Sequence, residues 1–266
     1  MRPSVPKGKS RLPCNSMGDY DDGMRIRSDR SNGSPVIATY VPRAHEDHPP
    51  FLYSDYRSTI KRAPSHDLVS IVQTLTETTG PGPAWAELNV DDADLTTNAG
   101  TGGEAIGQRS IITGRVLDDS GNPMPDTLIE IWQANACGRY VHWRETAFPA
   151  PLDPNFLGVG QTRTNADGEY RFLTIKPGPY PWGNHPNAWR PAHIHFSLMG
   201  PSVATRLVTQ MYFPDDPLFD LDPIFQSVPQ HARERLIAAY DHSVTVENWA
   251  LGYRWDIVLR GSGDPS

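Results

Sequence analysis

Ile111-Ile112-Thr113-Gly114-Arg115-Val116-Leu117 runs into Asp118-Asp119-Ser120-Gly121-Asn122-Pro123, and the chain resumes with Thr127-Leu128-Ile129-Glu130-Ile131-Trp132. Aliphatic and β-branched runs on either side of a Gly/Pro/Asn/Asp cluster read as two strands joined by a turn, and the pair is expected to form a hairpin. Asn165-Ala166-Asp167-Gly168 punctuates a second expected hairpin ahead of Tyr170-Arg171-Phe172. Further strands are expected over 192–198, 205–213 and 253–260. Short strands parted by turn clusters predict a mainly β fold, an antiparallel β-sandwich with one or two short helices. One helix is expected from Pro229 to Tyr240, with Ser227 near its N-cap and Pro229 in its first turn.

Upstream of Ser110 the chain changes character. Residues 1–35 are rich in Pro, Gly, Ser, Arg and Asp, lack hydrophobic periodicity, and read as a disordered tail. Residues 36–109 read as an irregular N-terminal arm and connecting segment, broken by Pro42, Pro49, Pro50 and Pro64. Within it, Leu68 to Leu75 is the first segment expected to be buried. The β-sandwich that carries the candidate site is expected over 110–266.

Composition narrows the function classes. The 26 prolines and 22 glycines argue against long helices. A chain of 266 residues buries most of its unfolded surface without a disulfide framework, and Cys14 and Cys137 do not supply one. With 24 Lys and Arg against 31 Asp and Glu, the net charge of −7 offers no basic face for nucleic acid. No apolar run approaches the ~20 residues that span a membrane. The N-terminus lacks the apolar stretch of a secretory signal, so a cytoplasmic protein is expected.

The segment richest in chemistry is Pro191-Ala192-His193-Ile194-His195-Phe196. In a strand, His193 and His195 share one face while Ile194 and Phe196 share the other. Two imidazoles a pleat apart suit a shared metal ion, and equally suit a pair of packed histidines. In Lys176-Pro177-Gly178-Pro179-Tyr180-Pro181-Trp182, three prolines stiffen the backbone and present the Tyr180 phenol. The alternative reading makes Tyr180 and Trp182 packing aromatics. Arg190 is either a solvated charge or a cation for negative charge developing on a substrate. Asn165 to Gly168 echoes part of a calcium loop, but Arg163 and Thr174 stand where its first and last carboxylates belong. Met199 and Met211 are expected in the core.

Trp132-Gln133-Ala134-Asn135-Ala136-Cys137-Gly138-Arg139-Tyr140, together with the Tyr180 segment and Trp189-Arg190-Pro191-Ala192-His193-Ile194-His195-Phe196, resembles the ligand-bearing motifs of the intradiol ring-cleavage dioxygenases. The resemblance spans roughly residues 54–261, taking in Thr76 to Pro81, Leu152-Asp153-Pro154-Asn155-Phe156 and Asp256 to Gly261. It implies a transthyretin-like sandwich holding one Fe(III) per chain through Tyr140, Tyr180, His193 and His195. It further implies cleavage of protocatechuate (3,4-dihydroxybenzoate) by O2 to 3-carboxy-cis,cis-muconate. The substrate would bind as a dianion and displace Tyr180, while Tyr140, His193 and His195 stay in place. Arg190, held by Gln210, would stabilise the carbanion-like ring. Trp182 and Ile224 would shape the pocket, and Tyr56 would reach the substrate carboxylate from the arm. The implied partner is an α subunit without the metal ligands, in a hetero-oligomer of αβ units. Two departures stand out: Cys137 occupies an expected glycine position, and the tail is longer than expected.

The donor set has its own logic. A phenol with pKa near 10 is protonated at neutral pH, but a hard trivalent cation strips its proton. Two phenolates then offset much of the ion's charge, unlike the two-histidine, one-carboxylate set that suits Fe(II) oxygenases. Two rival readings remain at this level. One is cleavage of catechol or hydroxyquinol, whose enzymes carry a helical N-terminal dimerisation segment; residues 1–66 show no such periodicity. The other is a non-enzymatic β-sandwich binding module, since fold alone does not decide function. Such a module needs neither Tyr180 nor the His-x-His strand.

Overall fold

A computed structural model describes residues 45–69, 92–142, 149–200 and 206–259. The expected tail, Thr76 to Pro81, and Arg260-Gly261 lie outside the described residues. Two sheets enclose one core. In the first, β1 (Arg109–Leu117) pairs antiparallel with β4 (Glu169–Ile175). On its other side β1 runs parallel to β10 (Leu251–Arg254) and β11 (Ile257–Val258), and β9 (Ala239–Tyr240) extends the sheet beyond β10. The second sheet is antiparallel throughout, in the order β3 (Val159–Arg163), β2 (Leu128–Gln133), β7 (His193–Met199), β8 (Arg206–Tyr212). A two-strand ribbon, β5 (Tyr180–Pro181) with β6 (Trp189–Arg190), precedes β7.

The core explains which face of β7 is left for chemistry. Ile112, Val116 and Phe172 from the first sheet meet Ile129, Ile131, Ile194, Phe196 and Leu198 from the second. Phe172 and Phe196 pack edge to face with centroids 6.3 Å apart, and Phe196 packs on Trp255 at 4.9 Å. Each such side chain contributes about 1.5–3 kcal/mol when fully buried. With Ile194, Phe196 and Leu198 committed to the core, strand alternation sends His193 and His195 to the opposite face. Met211 is a core residue, whereas Met199 is half-buried.

Several expected local features are corrected. β1 and β2 are not a hairpin, because they belong to different sheets. The Asp118 turn closes only the Leu117–Pro123 bridge. Asp126, at φ 55°, then redirects the chain, and Thr127 N–H bonds Thr164 Oγ1 at 2.9 Å in the second sheet. The Asn165–Gly168 turn likewise forms, with Asn165 N–H to Glu169 O at 3.0 Å, yet β3 and β4 part into opposite sheets. Both connections are arches over the sandwich edge.

The helix expected over Pro229–Tyr240 is also absent as one unit. Ser227 ends a short helix, α2 (Pro223–Ser227); α1 is Ser58–Arg62. After α2 comes α3 (Gln230–Arg233), then a 3-10 turn, Glu234–Leu236, and strand β9. Pairing stops the helix: Ala238 N–H bonds Tyr212 O at 2.9 Å, drawing the chain out along β8. Leu68 and Val69 are exposed, contrary to the expected burial, and 70–75 lie outside the described residues. Among the described residues no helix is long and apolar enough to cross a membrane.

Candidate metal centre

Strand register assembles the histidine side of the site. His195 stands opposite Trp132 on β2 and Gln210 on β8, and His193 stands opposite Tyr212. The Trp132 indole stacks on His195, with centroids 4.7 Å apart and planes 4° from parallel. His193 Nδ1 lies 2.6 Å from Pro191 O. A carbonyl only accepts, so Nδ1 carries the hydrogen and Nε2 keeps its lone pair, the tautomer a metal requires. That Nε2 is 3.4 Å from Tyr140 Oη, and His195 Nε2 is 3.2 Å from the same oxygen. Two donors about 2.1 Å from a shared ion, at right angles or somewhat wider, stand roughly 3.0–3.4 Å apart. Both separations from the Tyr140 oxygen lie within that range. Tyr180 completes the group, its ring centroid 5.6 Å from that of Tyr140 and 5.8 Å from that of His193.

The tyrosines come from two loops that lock together. Asn135, buried, accepts the N–H groups of Cys137 and Arg139 on its side-chain oxygen, at 2.9 and 3.0 Å, and its backbone O accepts from Gly138 and Gly178. Gly138, at φ 79°, turns the chain toward Tyr140. A Cβ there would lie 2.4 Å from Pro179 O, and one on Gly178 would lie 2.3 Å from Ala136 O. Backbone meets backbone at both positions. Cys137 does not disturb this arrangement, because its side chain is exposed and Gly138 makes the left-handed turn.

Ribbon register sets Arg190 opposite Tyr180. Arg190 is 4% exposed and its guanidinium has three partners. Nε donates to Asp222 Oδ2 at 3.1 Å; Nη2 donates to Gln210 Oε1 and to the Tyr212 hydroxyl, the latter at 3.2 Å. Burial opposes its charge, but Tyr212, Asp222 and Tyr180 outweigh burial and hold it more firmly protonated than a free arginine. Burial raises Asp222 from its ordinary value against the pull of Arg190, and raises the Tyr212 phenol. Removing one partner of such a buried pair costs about 3–5 kcal/mol.

Burial, followed by the Arg190 charge, lowers both histidines, His195 to about 3 and His193 well below its ordinary value. Both are therefore neutral donors at physiological pH. The unfolded chain takes up these protons first as pH falls, so stability present above the ordinary histidine pKa of about 6.5 is lost from there toward about 3. The denaturation midpoint of the iron-free protein is expected to fall from pH 7 to pH 5. Replacing both histidines by Gln should remove most of that slope; an unchanged slope would contradict neutral buried imidazoles.

The other expected residues are more dispersed. Trp182 lies beside Arg190, whose Cζ is 5.8 Å from the indole centroid, and Trp182 Nε1 is buried without a partner among the described residues. The Tyr56 ring meets Trp182 edge-on at 5.7 Å. Arg57 N–H bonds Asn184 Oδ1 at 2.9 Å, which ties the arm to the loop between β5 and β6. Ile224 instead lines a cavity of about 780 Å³ with Gln210, Tyr212 and Trp255; neither histidine nor Tyr140 or Tyr180 lines it. Sequence reasoning missed Trp132, Asn135, Asn184, Tyr212 and Asp222. Tyr212 was accessible, two residues from Gln210 on one strand face. Asp222-Pro223 carries a helix-start signature, an N-cap followed by proline, but its charge pairing leaves no local mark.

Among the described residues no group of three or more His, Cys, Asp and Glu is placed to hold an ion.

Comparison with known proteins gives this geometry a family. Residues 81–261 match the sequence model of a family described as "Dioxygenase", and residues 41–74 match one described as "Protocatechuate 3,4-dioxygenase beta subunit N terminal". A protocatechuate 3,4-dioxygenase beta chain of Burkholderia cepacia is 55% identical over 228 residues, covering 86% of this chain and 96% of that relative. The alpha chain from the same organism is 27% identical, over 73% of this chain and 95% of its own length. A hydroxyquinol 1,2-dioxygenase of Corynebacterium glutamicum is 33% identical, over 56% of this chain and 50% of its own. With most of its length matched and a relative aligned almost end to end, the chain belongs to the dioxygenase family that includes the protocatechuate 3,4-dioxygenase β chains.

Proposed function

We propose that the chain is the iron-bearing β subunit of an intradiol dioxygenase that opens protocatechuate between its two hydroxyl-bearing carbons, with both atoms of O2 entering 3-carboxy-cis,cis-muconate. The observation that carries this reading is the convergence of Tyr140 Oη with the Nε2 atoms of His193 and His195, at 3.4 and 3.2 Å, beside Tyr180. Tyr140, Tyr180, His193 and His195 would hold one Fe(III). Fe(III), when bound, supplies the Lewis acidity that keeps phenolate and catecholate ligands deprotonated at neutral pH.

The chain's own residues divide the remaining work. His193 and His195 stay neutral, so the protein's negative charge at the site rests on the tyrosines. Of the two protons that a catechol would lose on binding as a dianion, the Tyr180 phenolate oxygen would take one and hydroxide or solvent the other. Arg190 faces Tyr180 across the ribbon and stabilises negative charge on the ring. Gln210 fixes one edge of the guanidinium. Trp182 and Tyr56 bound the site on the side of the arm, where Tyr56 meets the substrate carboxylate. An α chain is the proposed partner, supported by the likeness to both chain types, and the proposal includes a cytoplasmic location.

The visible spectrum tests this reading. Iron-loaded protein, with its α partner, is expected to be red-brown from phenolate-to-Fe(III) charge transfer, and anaerobic protocatechuate should shift the band. A colourless, fully iron-loaded protein would refute the two-tyrosinate site. Tyr180→Phe is expected to keep the fold, alter the band and slow turnover about a hundredfold, the lower end for a lost proton-transfer group.

A further inference from the structure

Asp222 is fully buried, and its two carboxylate oxygens serve different elements. Oδ1 accepts the Ile224 N–H at 2.9 Å and so caps α2. Oδ2 accepts Arg190 Nε at 3.1 Å and stands 3.2 Å from the Tyr212 hydroxyl. That hydroxyl lies 2.9 Å from Gln210 Oε1, which also accepts Arg190 Nη2.

A guanidinium is a flat fork, and its plane is defined only when more than one of its nitrogens is held. Gln210 and Tyr212, both on β8, hold the Nη2 corner. With that corner alone, the fork is free to turn about it. Asp222 supplies the acceptor at Nε, and it comes from a different element. We propose that Asp222 is a positioning residue for Arg190: it sets the plane in which the guanidinium meets the substrate, and through its helix cap it ties that plane to the segment bearing Ile224. This inference rests on the reading of Arg190 as the substrate-facing cation.

A double-mutant cycle in the iron-loaded αβ complex separates positioning from mere support of the fold. Asp222→Ala is expected to lower kcat about a hundredfold, the scale of a small misplacement of a reacting group, with iron content and the visible band retained. In an Arg190→Ala background the same change should alter kcat less than about twofold. A crystal structure of Asp222→Ala should show the guanidinium turned out of its plane, with β8 unmoved. Equal losses in both backgrounds, or an unmoved guanidinium, would overturn the proposal. Should Asp222→Ala fail to fold, Asp222→Asn, which has the same shape and can still cap α2, takes its place in the cycle and the crystal. An iron-loaded wild type that cleaves no catechol would defeat the proposed function instead, and the guanidinium's position in the variant would still decide the role of Asp222.

Discussion

His193→Ala is expected to yield a folded protein that no longer retains iron, with ring cleavage lowered more than about a thousandfold. Loss of a residue that merely orients a ligand typically costs 10–100-fold in metal affinity or activity, and here a donor itself is removed. His193 Nε2 has its tautomer fixed by Pro191 O at 2.6 Å, so no other atom of this strand takes its place. The fold survives because the core uses the other face of β7, through Ile194, Phe196 and Leu198. Iron analysis after dialysis, circular dichroism and oxygen uptake check the three parts of this result. A variant that keeps one iron per chain would remove His193 from the ligand set.

Gly178→Ala is expected to be strongly damaging for so small a substitution. The new methyl would lie 2.3 Å from Ala136 O and 2.6 Å from Gly138 N, both backbone atoms with no rotamer to change. Overpacking of well-packed sites typically costs 1–3 kcal/mol, and a clash against backbone belongs at or above the top of that range, about 3 kcal/mol. At about 2–4 °C per kcal/mol for a domain of this size, the melting midpoint should drop by roughly 6–12 °C. Tyr180 follows two residues later, so the visible band of the iron-loaded protein should weaken as well. Gly183→Ala supplies the control: its added Cβ meets nothing within 4 Å, and its effect should stay within about 0.5 kcal/mol. Equal melting points for the two variants would show that the loops are not locked at Gly178.

The difference between what could and could not be read from the sequence follows distance along the chain. Alternation placed His193 and His195 on one face of a strand, because that rule needs only neighbouring residues. Turn chemistry at Asp118–Pro123 and Asn165–Gly168 was equally local, and turns form at both places. Which strand each turn delivers to which sheet was not local. A hairpin and an arch use the same Gly, Asn and Asp residues, and the choice depends on core partners such as Phe172 and Phe196 from opposite sheets. The broken helix after Pro229 has a similar cause, since β8 competes for its backbone at Ala238. The pairing of Asp222 was invisible for the strongest version of this reason: one of four aspartates between 215 and 222 reads as solvated, and only the fold brings it to Arg190, 32 positions away. The tyrosines were legible through family motifs rather than through periodicity.

The contact between the Gly138 and Gly178 loops also bears on time. Pro177, Pro179 and Pro181 restrict the backbone around Tyr180, and the glycine contact fixes the segment's footing. A phenol leaving its place on such a footing moves by turning about its own side-chain bonds. Rotamer changes of that kind run in picoseconds to nanoseconds when unhindered, whereas rearranging a loop takes nanoseconds to microseconds. If Tyr180 yields its place to a substrate, it does so as a rotor on a stationary axle, and no hinge has to open and reset within each catalytic cycle.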